Sequence, residues 1–497
     1  MNRTILVACL LVAAACCPKT PVVGSWEMCP QPRSITENGE HYTVKKALQK
    51  GLTKVIDPSL GQELKPFQQA ECYRLNVTGK GITLTAATDV GLIRGLQTLE
   101  KALPAQLEPG EVAVLPGAQV YDYPEFPYRA FMLDCGRHFF PVETIKTVID
   151  ILSLHQVNQF HWHLTEDQGW RLEIKKYPRL TEVGSWRAGS PVPGQKDHDG
   201  VPVSGFYTQA QAREIVAYAA GKGVEVIPEI DLPGHMKAAL AAYPELGCTG
   251  GPYEVACEYG VLDDVLCAGR EHTLEFVQDV LAEVMDIFPS RYIHLGGDEC
   301  PKVRWEACPH CQAKIEALEL KADGHKTSEE LLQSWFMDQV IASLEEKGRT
   351  AIIWNDVLVD WSNEVIGAPS KKAVIAGWMR PVSTEIAVRE GYQAILCPVG
   401  NLYLSAADGN KLTGDAYLRR VYDLPVIDGI LGVEACLWSE RVPDQEDLLW
   451  KLLPRLSAVA ELQWADPETR DYEAFLPRLK RMEDLYTARG WRWNPAQ

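Results

Sequence analysis

The chain has 497 residues, 46% of them hydrophobic and 23% charged, a balance that suits folded domains and supplies a large core without covalent staples. The formal net charge of −18 repels phosphate backbones and argues against nucleic acid as a partner. The 14 tryptophans can line a sugar site, but a single unplaced indole is more often a core residue.

At the N-terminus, Arg3 followed by an apolar run over residues 4–15 reads as an export signal, too short to span a bilayer, and residues 1–20 are assigned to it. Ala13-Ala14-Ala15 precede Cys16, as in a bacterial lipoprotein processing site, although Ala13 stands where a larger aliphatic residue is usual. The expectation is an exported protein, either released into the periplasm after simple cleavage or held at the outer membrane by a lipid anchor on Cys16.

Residues 73–76 and 81–86 alternate as strands do, and residues 89–103 place Leu92, Ile93, Leu96, Leu99 and Leu103 at helical spacing. This predicts a small α+β domain over residues 21–124, closed by the Pro-rich passage 121–127. From Tyr128 the pattern changes. Candidate strands at 129–133, 158–163, 225–228, 292–294, 351–354, 373–377, 393–397 and 432–436 alternate with helical patterns at 142–155, 209–222, 273–288, 329–347 and 382–390. The order predicts an α/β fold, a (β/α)8 TIM-type barrel with C-terminal helices over residues 125–497. The alternative is an open doubly wound sheet; no Gly-x-Gly-x-x-Gly follows a first strand, which removes its dinucleotide-binding form.

Barrel enzymes carry their chemistry at the C-terminal ends of the strands. Those ends offer Asp134, His161, His163, Glu166, Asp167, Glu229, Asp231, His235, Asp298, Glu299, Trp354, Asp356, Trp378, Tyr403, Trp438 and Glu440. An acidic, Trp-lined mouth without a phosphate loop suits a neutral polyol. In His294-Leu295-Gly296-Gly297-Asp298-Glu299, two glycines permit a tight turn after a strand and two carboxylates follow. Neighbouring acids do not ionise independently, so one is driven toward the neutral form that a proton donor needs. Taken alone, an Asp-Glu pair is more often a solvated turn.

Among 14 cysteines, Cys9, Cys16 and Cys17 fall in the signal region. Cys248 and Cys267 flank a Gly/Pro-containing loop and form the best disulfide candidate. Cys308-Pro309-His310-Cys311 is a lone Cys-x-x-Cys; Cys300 and His310 are near it, but the spacing is not that of a standard zinc knuckle. A local disulfide or free thiols is the preferred reading, and no metal and no cofactor are expected.

Several longer motifs resemble glycoside hydrolase family 20. They are Tyr128-Arg129-Ala130-Phe131-Met132-Leu133-Asp134, Arg137-His138-Phe139, His161-Trp162-His163-Leu164 and Asp167-Gln168-Gly169-Trp170-Arg171. Asp231-Leu232-Pro233-Gly234-His235, the segment from His294 to Glu299, and Glu434-Ala435-Cys436-Leu437-Trp438-Ser439-Glu440 complete the set, in the family's order over about residues 70–490. The resemblance implies an exo-acting β-N-acetylhexosaminidase whose partner is a glycan ending in β-GlcNAc or β-GalNAc, and whose nucleophile is the substrate's own acetamide. It implies that Asp298 orients the acetamide, Glu299 is the acid and base, and Tyr403 donates to the acetamide oxygen. Trp354, Trp378 and Trp438 would enclose the acetamide and sugar, Arg129 and Glu440 would hold ring hydroxyls, and Asp167 and His235 would tune Glu299. His161, His163 and His294 read better as structural. The chain departs from the family pattern at Glu166, where Asp is common, at Cys135-Gly136, and at Ser405, where an acid or amide is usual and distal hydroxyls are met. A glycan-binding protein without catalysis and a disaccharide-releasing relative are the other readings; the first does not require Asp298, Glu299 and Tyr403 together.

Overall fold

The computed structural model describes residues 19–44, 51–192, 197–324, 326–405 and 415–495. The export signal and its three cysteines therefore lie outside the described residues, apart from the last two positions assigned to it.

The first unit is a six-stranded sheet. Tyr73–Thr78 and Gly81–Ala86 pair antiparallel, and Glu111–Asp122 joins them on the other side. Leu75, Val77, Ile82 and Leu84 point to one buried face, the period of two that marks a half-buried strand. That face is covered by the helix Asp89–Ala102, started by Thr88, whose hydroxyl accepts from the amides of Val90 and Gly91. Glu111–Asp122 was not foreseen, because Pro116 and Gly117 interrupt it. Ser34–Thr43 was also missed: it is exposed at most positions and has no apolar alternation to read.

Eight parallel strands then close a barrel: Tyr128–Asp134, Gln159–His163, Glu225–Leu232, Tyr292–Gly296, Thr350–Trp354, Val374–Gly377, Gln393–Leu396 and Gly432–Leu437. They coincide with the eight strands read from the sequence to within a few residues at each end. Closure pairs the last strand with the first over Gly432 to Leu437, opposite Tyr128 to Leu133. The helices Val142–Leu154, Gln209–Gly221, Glu271–Ile287, Ser328–Glu345 and Pro381–Arg389 lie between strands, as the apolar spacing predicts. Beyond the barrel, Arg455–Trp464 and Tyr472–Ala488 are helical. Gln463 donates from its side chain to the carbonyls of Ala130 and Val433, bracing the closing seam at 2.9 and 2.8 Å.

Arg129 requires a correction. It is the second residue of the first barrel strand, at the end away from the mouth, and it is fully buried. Its guanidinium donates to both carboxylate oxygens of Glu71, at 3.0 and 2.5 Å, and to the carbonyls of Phe126 and Gln156, while Arg94 holds the same Glu71 at 2.7 Å. Arg129 thus ties the first unit to the barrel floor. It cannot reach a ligand at the mouth, because the length of its own strand, Tyr128–Asp134, separates the two ends of the barrel.

Candidate functional site

The fourth barrel strand ends at Gly296, and the next three residues form the centre of the mouth. Gly296 and Gly297 have φ of 65° and 96°, in the left-handed region. A Cβ on Gly296 would lie 1.7 Å from the Asp231 carboxylate, so only glycine fits. Glu299 itself has φ 44° and His235 has φ 52°, strain that the surrounding packing holds in place. The turn sends the two acids into different surroundings: the Asp298 side chain is 11% exposed and that of Glu299 33%.

His235, after the third strand, stands behind both. Its Nε2 lies 3.4 Å from Glu299 and 3.8 Å from Asp298, and its Nδ1 lies 3.1 Å from Glu166 and 3.3 Å from Asp167. Burial disfavours the charged imidazole, but the Glu166 carboxylate and the contacts to Asp167 and Glu299 outweigh it, so its pKa stands well above the ordinary histidine value. Asp167 is fixed in turn by the Lys237 amide, 2.9 Å from its Oδ1.

Asp298 behaves oppositely. Burial is the largest effect; His235 pulls down, Asp356 and Glu299 push up, and the carboxyl is driven up to about 8. Buried Asp231 is likewise raised, first by burial and then by Asp298, and neither of its oxygens has a hydrogen-bond partner among the described residues. Asp356 accepts from the Glu299 amide at 3.2 Å and from Trp378 Nε1 at 2.6 Å, coupling the turn to an aromatic wall.

That wall is built from the later strands. Trp354 and Trp438 lie 6.1 Å apart between ring centres, Tyr403 and Trp438 5.9 Å, and Trp378 and Tyr403 6.1 Å at only 16° to each other. Tyr403 is held from behind, its carbonyl accepting from Tyr417. Asp298, Glu299, Trp378, Tyr403, Trp438, Glu440 and Arg137 line a cavity of about 730 Å³, with Ser405 on its rim. Trp354 is buried beneath it, donating to Glu229 at 3.0 Å. A larger depression of about 920 Å³, lined by Trp186, Arg187 and Lys237, meets this cavity at Tyr259 but holds none of the acids just described.

Below the cavity, His161, His163 and His294 surround Glu229. His161 bridges Glu229 and Glu434 at 2.9 and 2.8 Å, His294 reaches Glu229 at 2.8 Å, and His163 also contacts it. Burial raises the Glu229 carboxyl and the three imidazoles lower it further, so it stays ionised. These groups lie fully buried in the barrel interior.

The structure brings Asp298, Glu299, Tyr403, Asp167, His235, Trp354, Trp378, Trp438 and Glu440 to one end of the barrel and leaves Arg129 at the other. The arginine at the mouth is Arg137. It lies 2.6 Å from Glu166, 3.1 Å from Asp134 and 3.8 Å from Glu440, over the Trp438 ring at 5.0 Å. Asp134 is the hub that positions it, also accepting from the amide and hydroxyl of Ser439 at 3.0 Å each. Gly136 lets this loop approach: a Cβ there would be 2.6 Å from Glu166 Cβ. The signal for Arg137 was its place just past a strand end, three residues after Asp134.

The cysteines also differ from expectation. Cys248 and Cys267 do not pair with each other; together with Cys308 and Cys311 they form one cluster, and Cys300 and His310 are not part of it. All described cysteines are free thiols.

Comparison with known proteins gives two family matches: glycosyl hydrolase family 20, catalytic domain, over residues 126–467, and glycosyl hydrolase family 20, domain 2, over residues 31–123. A beta-hexosaminidase of Porphyromonas gingivalis is 40% identical over 429 residues, covering 82% of this chain and 52% of that protein, so the chain spans about half its length. A beta-hexosaminidase of Akkermansia muciniphila is 34% identical, covering 84% of each chain. The crystal structure of a beta-N-acetylhexosaminidase from Bacteroides fragilis superposes with a TM-score of 0.78 at 31% identity, over 94% of this chain and 97% of that one. An exo beta-N-acetylglucosaminidase from Vibrio harveyi, solved with N-acetylglucosamine, gives 0.80 at 27% identity, over 96% and 80%.

Proposed function

Because the chain belongs to glycosyl hydrolase family 20, we propose that it is an exo-acting β-N-acetylhexosaminidase releasing terminal β-linked GlcNAc or GalNAc with retention, through an oxazolinium formed by the substrate's acetamide. The observation that carries this reading is the pairing of Asp298 and Glu299 on one strained turn, facing an aromatic enclosure of Trp378, Tyr403 and Trp438. The enclosure suits an acetamide methyl, with the Tyr403 hydroxyl free to donate to the amide oxygen. The carbonyl oxygen of that amide attacks C1 while Glu299, the more exposed acid, protonates the departing oxygen. Asp298 accepts from the amide nitrogen and balances the positive charge that develops there. Glu299 then takes a proton from the water that opens the ring, and His235 relays the influence of Asp167 and Glu166 to it. Arg137 and Glu440 hold the ring hydroxyls, a role for which a planar guanidinium is suited.

Time-resolved NMR of the released sugar tests the mechanism. The β anomer should appear first, because attack by acetamide and then by water inverts C1 twice. An α anomer appearing first, or a sugar ester on Asp298 or Glu299 in the intact-protein mass, would refute it. Residues 1–20 support export to the periplasm or outer membrane, and Cys16 is the candidate lipid attachment point. A mature N-terminus elsewhere than Cys16, without added acyl mass, would rule the anchor out.

A further inference from the structure

The long connection after the third strand carries Cys248 and Cys267; the connection after the fourth strand, which delivers Asp298 and Glu299, carries Cys308 and Cys311. Barrel closure folds these connections together. Cys308 caps the helix Pro309–Ala317 and Cys311 sits in its first turn. The connection after the third strand approaches this helix closely at Gly269, where a Cβ would be 2.2 Å from the His310 carbonyl carbon. The four sulfurs lie within 4.8 Å of one another, with Cys267 3.7 Å from both Cys308 and Cys311 and Cys248 3.9 Å from Cys311.

These separations discriminate between the chemistries open to four cysteines. A disulfide needs about 2.05 Å between sulfurs. Four thiolates at about 2.3 Å from a tetrahedral ion stand about 3.8 Å apart. Cys267, Cys308 and Cys311 are buried and Cys248 partly so, leaving no open coordination position for a substrate. We propose that Cys248, Cys267, Cys308 and Cys311 form a closed tetrathiolate zinc site that fastens the two connections bearing His235 and the Asp298–Glu299 turn. Soft sulfur ligands in tetrahedral array select zinc over the hard divalent cations. Binding releases the thiol protons to solvent and consumes no oxidant or reductant. Hydrogen bonds around the site already brace it: within the first connection the Leu266 amide donates to the Pro233 carbonyl at 2.9 Å, and from the second connection Trp305 Nε1 donates to the Leu266 carbonyl at 2.9 Å. The metal would fix the turn from behind and take no part in sugar cleavage.

The protein purified without chelator should contain about one zinc per chain by elemental analysis. An organomercurial should release it as four thiols react. Cobalt(II) loaded in its place should show thiolate-to-cobalt charge-transfer bands and the intense visible bands of a tetrahedral ion. Cys311→Ser should lose the metal and melt earlier, but the cobalt spectrum of the unaltered chain stands even if that variant fails to fold. The proposal is overturned by a chain that neither contains nor takes up zinc under reducing conditions, by iron in its place, by cobalt bound without thiolate bands, or by an intact mass lacking the four hydrogens lost to two disulfides.

Discussion

Arg137→Ala and Arg129→Ala should injure the protein in separable ways. At the mouth, the Arg137 guanidinium is pinned by Glu166 and Asp134, and the residue lines the cavity. A ring hydroxyl in the cavity would accept from such a charged donor. Losing one hydrogen bond to a charged group costs about 1.5–3 kcal/mol, which is roughly a 10- to 150-fold fall in kcat/KM. On the barrel floor, removing Arg129 leaves Glu71 buried with only Arg94 for company. Breaking a buried ion pair from one side costs about 3–5 kcal/mol of stability, while the folded fraction should keep kcat/KM within about twofold, since only uniform stability has changed. The assay is kcat/KM for an aryl β-GlcNAc glycoside beside urea unfolding of each variant. A tenfold or larger loss of kcat/KM in folded Arg129→Ala, or an intact kcat/KM in Arg137→Ala, would refute the assignment of the two arginines.

Other outcomes follow from the acids. Glu299→Gln should slow the first step most for poor leaving groups and least for dinitrophenolate, which needs little protonation; pre-steady-state rates with equal losses across leaving groups would point to another acid. A thiazoline mimic of the cyclic intermediate should bind far more tightly than GlcNAc, and Asp298→Asn should weaken the mimic more than the sugar, as inhibition constants would reveal. With Asp298 raised to about 8 in the empty site, a ligand whose N–H is accepted by the carboxylate must expel its proton. GlcNAc affinity should therefore rise as pH increases toward about 8 and level off above it. Calorimetry in buffers of different ionisation enthalpy should detect the proton released near pH 7, and its persistence in Asp298→Asn would place it elsewhere.

The barrel was legible because each strand is a short apolar run followed by a helical period, and burial on both faces enforces that pattern. The site was legible for the same reason: a parallel barrel turns strand ends into neighbours, so His235, Asp298 and Trp438 can be grouped without knowing a single distance. The one misplaced side chain breaks that rule. Arg129 opens its strand and Arg137 follows it, and position along the strand alone separates floor from mouth. The cysteine cluster was hidden for a different reason. Its ligands come in two pairs from different connections, and no local spacing announces them; only closure of the sheet brings Cys248 and Cys267 to Cys308 and Cys311. In the first unit, Pro116-Gly117 and the exposed face of Ser34–Thr43 removed the period-two signal, although pairing with Glu111–Asp122 still makes the latter a strand.

The mouth sorts its carboxylates by what stands beside them. Glu229 and Glu166 face imidazoles or Arg137 and remain ionised, held low against the cost of burial. Asp231 and Asp298 face each other and other acids, and burial drives both up. Such a site is short of positive charge just where the acetamide nitrogen would lie. A neutral sugar entering it gains little from that shortage. A ring acquiring positive charge gains much more, since the same buried carboxyl that is costly to ionise in the empty cavity acquires a partner during the reaction. The elevated Asp298 is in this sense the complement of the oxazolinium, and the adjacent Glu299, a third exposed and backed by His235, is left to carry protons in and out.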